Sequence, residues 1–353
     1  MRRNAARFRR PGVTLSLAVK ALYRPELLAE LADEVDLFGV QSSYEAQLCP
    51  AGARLSFHSP RLDPLALADP RTAHVSLNST TQCARVRMTF DTPAPRYGLR
   101  VALAPTCERA FVSRGSKFGM DADAVVAETQ KGLPGGLAFI HHHSHARLHD
   151  REQAADVADV FAAAVAHVTD RTGCPPRAVD IGGGWDGGFE LLLHGTSVEE
   201  MLDLQLARLR ELDPPPSEVI VEPGRALFED AMIVVATVDE VRDGDGLAFA
   251  VVDVATGFLV PLELSRFRFL ALDPEADARA MARVALVDGT CSPRGRIATQ
   301  LSPAVRAGDR VAIVGVGAYT YSVAGHFFAP PAPLYRLAGA EPQSLVPLER
   351  MPR

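Results

Sequence analysis

The sequence has no apolar run approaching the roughly 20 residues needed to cross a bilayer, no internal repeat and no low-complexity linker. Cysteine is scarce: Cys49, Cys83, Cys107, Cys174 and Cys291 are odd in number, widely spaced and without a CxxC pair. That pattern argues against a disulfide framework or a zinc-thiolate site and fits a reducing cytoplasm. Net positive charge is lacking as well. A formal net charge of −6 argues against a large nucleic-acid footprint, because phosphate binding wants a basic surface. Five arginines crowd the first ten residues (Arg2, Arg3, Arg7, Arg9, Arg10), but no apolar stretch follows them, so the segment does not read as a secretory signal. What is present is an ordinary globular composition, 47% hydrophobic and 23% charged over 353 residues. The length accommodates a barrel of about 250 residues and a second domain. The expectation is a soluble, cytoplasmic protein of two domains that works on small molecules, with neither membrane nor nucleic acid as partner.

Short apolar runs bounded by turn residues recur along the first two thirds of the chain: Leu15–Ala21, Leu37–Ser42, Arg54–Pro60, His74–Thr80, Tyr97–Leu103, Leu137–Ser144, Ala178–Trp185 and Glu218–Arg225. Between several of them lie stretches with helical spacing, Pro25–Glu34, Arg151–Arg171 and Ser197–Leu212. Strands alternating with helices imply parallel βαβ units, and eight units imply a closed (β/α)₈ barrel. After Arg225 the texture changes to strand-like segments without long helices: Met232–Arg242, Leu247–Asp253, Arg266–Ala271, Ala282–Val287 and Arg310–Gly315. The expected organisation is a barrel over 1–228 and a largely antiparallel β domain over 229–353.

In a parallel barrel the active site forms at the C-terminal ends of the strands, and reactive residue types stand there repeatedly. Lys20 ends the first strand in an apolar setting (LeuSerLeuAlaValLys), where an amine can act as nucleophile toward a carbonyl. Gly182, Gly183 and Gly184 end the seventh; their N–H groups suit a phosphate ester, or they form a tight strand-to-helix turn. Glu222 and Arg225 end the eighth and fit either a pyridinium nitrogen and a phosphate or a structural ion pair. His141, His142, His143 and His145 invite a metal reading. Alternate side chains on a strand point to opposite faces, however, so adjacent histidines do not all converge, and no metal site is expected.

At this point the residues resemble the fold-type III pyridoxal-phosphate (PLP) decarboxylases, a family with an alanine-racemase-like barrel that includes ornithine/arginine and diaminopimelate decarboxylases. The resemblance runs from about Val13 to Phe328. LeuAlaValLysAla (17–21) looks like the segment carrying the cofactor lysine, which implies Lys20 as the Schiff-base residue. ValGlnSerSerTyrGlu (40–45) looks like the motif whose acid faces the active site, here Glu45, and SerLysPheGlyMet (116–120) matches a loop common in the family. IleHisHisHisSer (140–144) implies His141 over the cofactor ring and Ser144 near its phosphate. ValAspIleGlyGlyGly (179–184) and GluProGlyArg (222–225) are the most specific matches. They imply a phosphate loop at Gly182–Gly184 with Gly224, Glu222 on the pyridine nitrogen and Arg225 on the phosphate. AspGlyThrCysSer (288–292) resembles the segment that places a cysteine in the partner subunit's active site, and GlyAlaTyr (317–319) the one supplying a phosphate-binding tyrosine. The resemblance thus implies PLP-dependent decarboxylation of a small amino acid by a homodimer with shared sites, with Cys291 as proton donor and Tyr319 on the phosphate.

Three departures matter. His143 stands where the family tends to have glycine, and Leu22 where asparagine usually follows the lysine motif. Basic-amino-acid decarboxylases commonly carry an aspartate four residues after the cysteine to bind a distal amine; here that position is Gly295, flanked by Arg294 and Arg296. The arginines make a substrate with a distal carboxylate the expectation, with Arg294 and Arg296 as substrate-binding residues. The alternatives are an amino-acid racemase, which would normally place a tyrosine where this chain has Cys291, and a catalytically inactive regulatory paralogue.

Overall fold

The computed structural model describes residues 1–89, 95–103, 117–143, 147–255, 257, 267–293, 295–325, 332–337 and 345–347. Eight short parallel strands close on themselves: β1 (Val13–Ala18), β2 (Leu37–Val40), β3 (Leu55–His58), β4 (Thr72–Leu77), β5 (Arg96–Arg100), β6 (Phe139–His141), β7 (Ala178–Asp180) and β8 (Glu218–Val221). Pairing of Leu15 with Val221 joins the last strand to the first. All eight expected strands are present, each ending two to five residues earlier than its apolar run. The surplus residues turn inward or into loops and carry the polar groups described below.

The helices follow from local chemistry. Arg151–Thr172 opens where the Asp150 carboxylate accepts the Gln153 N–H at 2.8 Å and stops at Gly173, whose φ of 65° is open to glycine at little cost. Its buried stripe, Val157, Phe161, Val165 and Val168, repeats at three- and four-residue intervals. Helix Val198–Leu209 is capped in the same way, by Ser197 accepting from Glu200 N–H.

Period-two alternation decides what fills the barrel. Contacts between non-adjacent strands must cross its interior, and they mark two polar layers. At the N-terminal end, Glu218 of β8 accepts from Arg96 of β5 at 3.0 Å and from Thr14 of β1 at 2.8 Å, while Arg96 lies 3.1 Å from His74 Nε2. Midway, Phe139, Ala178 and Ile220 form a buried apolar cluster, and Gly98 leaves the room that the Phe139 ring fills. Two residues further along each strand come Arg100, His141, Asp180 and Glu222, at the C-terminal end.

The chain divides into two compact units. The first comprises Met1–Met232 together with Gly317–Ser322; the second comprises Ile233–Val316 and Val323–Arg353. The division thus falls a few residues beyond the expected boundary at 228, and a six-residue segment near the end of the chain belongs with the barrel. The hydrogen bonds from Tyr319 N–H to Ala21 O at 2.7 Å and from Gly317 N–H to Glu229 O at 3.1 Å are the reason.

The second unit holds a six-stranded sheet in the order β11–β14–β9–β10–β12–β13, from β9 (Val234–Gly244), β10 (Leu247–Val252), β11 (Arg268–Ala271), β12 (Met281–Asp288), β13 (Arg296–Pro303) and β14 (Arg310–Val314). It is antiparallel except between β10 and β12. In this sheet the sequence does not announce β13, an edge strand whose ArgIleAlaThrGlnLeuSerPro is too polar to register as an apolar run, and the short strands of the ribbon below are equally silent. A two-stranded ribbon, Tyr335–Leu337 with Leu345–Pro347, completes the described residues. Among them no helix is long and apolar enough to cross a membrane.

Candidate active site

A pocket of about 110 Å³ opens at the C-terminal end of the barrel, lined by residues that include Lys20, Gln41, His58, Arg100, His141, His143 and Glu222. Lys20 sits in a 3₁₀ turn, Val19–Ala21, directly after β1. The turn is braced from the returning segment: Ser322 Oγ donates to Lys20 O at 2.9 Å, and Tyr319 N–H donates to Ala21 O.

Glu222 is the electrostatic centre of the pocket. Its Oε2 lies 3.1 Å from His143 Nδ1 and 3.7 Å from His141 Nε2, and its Oε1 lies 3.0 Å from His58 Nε2. The last pair is close enough for electrostatic attraction but not aligned for a hydrogen bond, so Oε1 is buried without a hydrogen-bond partner. Burial alone would raise this carboxyl; His58, His141 and the His143 hydrogen bond outweigh it and hold Glu222 well below the usual carboxylate range. Asp180, fully buried behind it, goes the other way, pushed up by burial and then by the Glu222 charge. The two carboxyls are thus driven apart, and Glu222 is the one that holds its charge more readily. Burial holds the imidazoles of His58 and His141 below their ordinary range and takes His143 to about 3. Arg100, desolvated to about 10, keeps its charge and balances Glu222.

His141 and His143 share one face because they are two residues apart. His142 points the other way, its ring 5.7 Å from that of Phe161. His141 is fixed by Ser76, whose Oγ lies 2.7 Å from Nδ1.

The glycine loop follows β7. Gly182 and Gly184 have φ of +64° and +111°, which glycine alone adopts cheaply. A Cβ on Gly182 would lie 2.6 Å from His142 O, and one on Gly183 would run into the Glu222 carbonyl oxygen. A Cβ on Gly224 would lie 2.9 Å from the Tyr319 hydroxyl, and the Arg225 guanidinium stands 5.8 Å from the Tyr319 ring centre. Tyr319 itself is held at φ 64°, a conformation that costs a non-glycine residue about 1–3 kcal/mol and recurs at functional sites. Arg225 Nε is 3.4 Å from Asp186 Oδ1, again without hydrogen-bond alignment. Asp186 also accepts from Arg147 Nε at 2.6 Å, and Arg147 donates to Glu229 at 3.2 Å.

These residues fit the cofactor that the resemblance implies. The pocket offers an amine and a buried carboxylate with one oxygen lacking a hydrogen bond; the same unit adds a loop with no room for a side chain at Gly182 and Gly183, and Arg225, whose buried Nε makes no hydrogen bond. Lys20, His141, Gly182, Gly183, Gly184, Glu222, Gly224, Arg225 and Tyr319 all lie in the barrel unit around this end.

The other expected residues stand differently. Glu45 is buried and does not line the pocket: its oxygens accept from Tyr23 Oη at 2.6 Å and from Gln41 N–H at 2.8 Å, and burial raises it although Lys20 opposes. Ser144, His145 and Arg294 lie outside the described residues. Cys291 is exposed in the second unit, in the turn between β12 and β13. Arg296, also exposed, stands with its guanidinium 5.8 Å from the Phe249 ring centre. Gly295 has a steric cause: a Cβ there would run into the carboxylate of Asp288, which accepts from Thr290 Oγ at 2.8 Å. His58, Ser76 and Arg100 escaped the sequence reading, although His58 and Arg100 end β3 and β5 and the strand-end rule applies to them equally.

No family model matches this sequence. Diaminopimelate decarboxylase of Thermoplasma acidophilum is 26% identical over 224 residues, 62% of this chain and 53% of that protein. The chain therefore spans about half the length of the curated relative it matches. Among solved structures, diaminopimelate decarboxylase from M. jannaschi superposes with a TM-score of 0.79 at 15% identity, covering 98% of this chain and 86% of that one. Arginine decarboxylase of Paramecium bursaria Chlorella virus, bound to agmatine, gives 0.74 at 22% identity, covering 92% and 89%. Lysine/ornithine decarboxylase from Vibrio vulnificus, complexed with putrescine, gives 0.74 at 19%, covering 94% and 90%.

Proposed function

We propose, from a chain that has the fold of the fold-type III PLP decarboxylases and a sequence similar to one of them, that this protein is a PLP-dependent decarboxylase of a small amino acid. The observation that carries the proposal is the meeting of Lys20 and an ionised, buried Glu222 in one pocket beside a glycine loop. The cofactor, when bound, supplies an aldehyde for amines and a protonated ring that takes up an electron pair. Lys20 holds the aldehyde carbon. Glu222, kept ionised at neutral pH, holds a proton on the ring nitrogen, and Arg100 neutralises the carboxylate across the pocket. His141, its imidazole held in place by Ser76, would pack against the cofactor ring and exclude water. Gly182–Gly184, Ser144, Arg225 and Tyr319 hold the phosphate, with Asp186 orienting Arg225. Cys291 of a second copy would donate a proton to the α-carbon in place of the departing CO₂, a role that rests on the family resemblance. Glu45 supports the turn after β2 through Gln41.

The substrate class we assign is an amino acid with a distal carboxylate. A site that pairs a distal ammonium needs an acid near the cysteine, and the Asp288 carboxylate closes position 295 to any side chain. An unpaired buried charge costs about 3 to 5 kcal/mol, more than a hundredfold in binding. Diaminopimelate, whose distal carboxylate the flanking Arg294 and Arg296 would pair, should therefore give a higher kcat/KM than ornithine or lysine. Purified protein should retain PLP with the visible absorbance of a lysine-bound aldehyde, and Lys20→Ala should lose it. An unchanged spectrum in that variant, or a preference for ornithine or lysine, overturns the respective assignment.

A further inference from the structure

His143 and His58 have no part in the reaction just described, yet both face Glu222, and together with His141 they form a second arrangement. His141, His143 and Glu222 each offer a ligand atom, and these lie within 4.8 Å of one another. Two of the separations are 3.7 Å (His141 Nε2 to Glu222 Oε2) and 3.1 Å (His143 Nδ1 to the same oxygen), and His58 Nε2 stands 3.0 Å from Oε1. Around a tetrahedral zinc ion with bonds of about 2.0–2.2 Å, neighbouring ligand atoms are about 3.3–3.5 Å apart. His141, His143 and Glu222 stand near that spacing, although the Gly183 N–H also lies 3.3 Å from His143 Nδ1 and would have to yield to the ion; His58 faces the other Glu222 oxygen and would join by a movement of its side chain. His141 Nε2 is buried and has no hydrogen-bond partner, while Ser76 engages the opposite ring nitrogen at 2.7 Å. An outer partner on the far nitrogen is how metal-binding imidazoles are usually oriented.

We propose that the cofactor-free pocket binds one divalent transition-metal ion through His141 Nε2, His143 Nδ1 and Glu222, with His58 as a fourth ligand. Two or three imidazoles with one carboxylate favour zinc, cobalt or nickel over magnesium or calcium, which prefer all-oxygen sites. Lys20 and Arg100 line the same pocket and oppose any cation, so the nitrogen ligands carry the affinity. The alternation that turns His142 away leaves His141 and His143 together, and this is how a histidine run on one strand still supplies two ligands.

The metal set shares Glu222 and His141 with the proposed cofactor site but requires His143 and His58, which the cofactor reading does not use. Cofactor-free full-length protein is titrated with CoCl₂ and ZnCl₂ by calorimetry, with MgCl₂ as control, and the cobalt visible spectrum is recorded. We expect one ion per chain, a cobalt band of nitrogen-ligated character, no magnesium binding, and at least about tenfold weaker cobalt binding in His143→Gly and in His58→Gln. Far-ultraviolet circular dichroism and melting of each variant separate ligand loss from unfolding. Lys20→Ala should bind cobalt as well as the wild type or more tightly, although the cofactor reading requires it to lose PLP, so the two ideas fail separately. Absence of a cobalt band in the wild type, or wild-type affinity in folded His143→Gly and His58→Gln, overturns the metal site.

Discussion

His74→Gln should change the pH dependence of folding stability by the contribution of a single group. His74 is buried at the N-terminal layer of the barrel, 1% exposed, with Nε2 facing Arg96 at 3.1 Å. Burial first, and the Arg96 charge second, lower its pKa from 6.5 to about 4. In the unfolded chain the ring titrates normally, so between about pH 6.5 and 4 unfolding takes up a proton. The sign follows: the stability that depends on the neutral ring is fully present above about pH 6.5 and is lost as pH falls toward 4. At pH 5 the folded ring is still mostly neutral. The loss spans about 1.5 units at 1.36 kcal/mol each, roughly 2 kcal/mol. Gln keeps an acceptor toward Arg96 and cannot titrate. His58, His141 and His143 contribute in the same direction, and Asp180, Glu45 and Glu229, whose carboxyls are raised, in the opposite one; all six remain in both proteins and cancel in the difference. Urea unfolding of the two cofactor-free proteins at pH 7 and pH 5 gives the comparison. His74→Gln should lose about 2 kcal/mol less than the wild type between those pH values. Parallel profiles would refute a neutral buried His74.

Two further outcomes test the site. Gly183→Ala should weaken PLP binding by about 1 to 3 kcal/mol of overpacking, fivefold or more, because the new methyl meets the Glu222 carbonyl; Trp185, the single tryptophan, follows the loop and reports the titration by fluorescence, and an unchanged Kd would show that the loop yields. Lys20→Ala and Cys291→Ala proteins, each inactive, should regain part of the activity when mixed with subunit exchange, since a two-fold dimer then contains one intact composite site; exchanged hybrids without activity would place both residues in one subunit's site.

The barrel was legible because parallel strands buried on both faces read as apolar runs, and all eight did. The edge strand β13 was not, since its residues alternate weakly and end in Pro303. His58 and Arg100 were passed over for a related reason: they close strands whose preceding residues are apolar, and nothing local distinguishes an inward-facing polar end from the start of a loop. The histidine run was half legible, its alternation being a property of the strand, whereas the partner that gathers His141 and His143, Glu222, is 79 residues away from His143. At Gly295 the sequence displays a missing side chain, and the cause, the Asp288 carboxylate seven residues earlier, is brought against it only by the fold.

The segment that braces the Lys20 turn has a consequence for how the molecule is made. Ser322 and Lys20 are joined by a hydrogen bond although 302 residues separate them. The last barrel strand ends at Val221, and Ser322 leaves the ribosome about 100 residues later, roughly 5 to 20 s at ordinary elongation rates. During that interval the nascent chain has every strand of the barrel but neither Tyr319 beside Gly224 nor the bond that holds the lysine turn. The pocket is thus completed by a segment translated about 100 residues after the last barrel strand, and a ribosome-bound barrel should capture its small-molecule ligand poorly until that segment has emerged and come back.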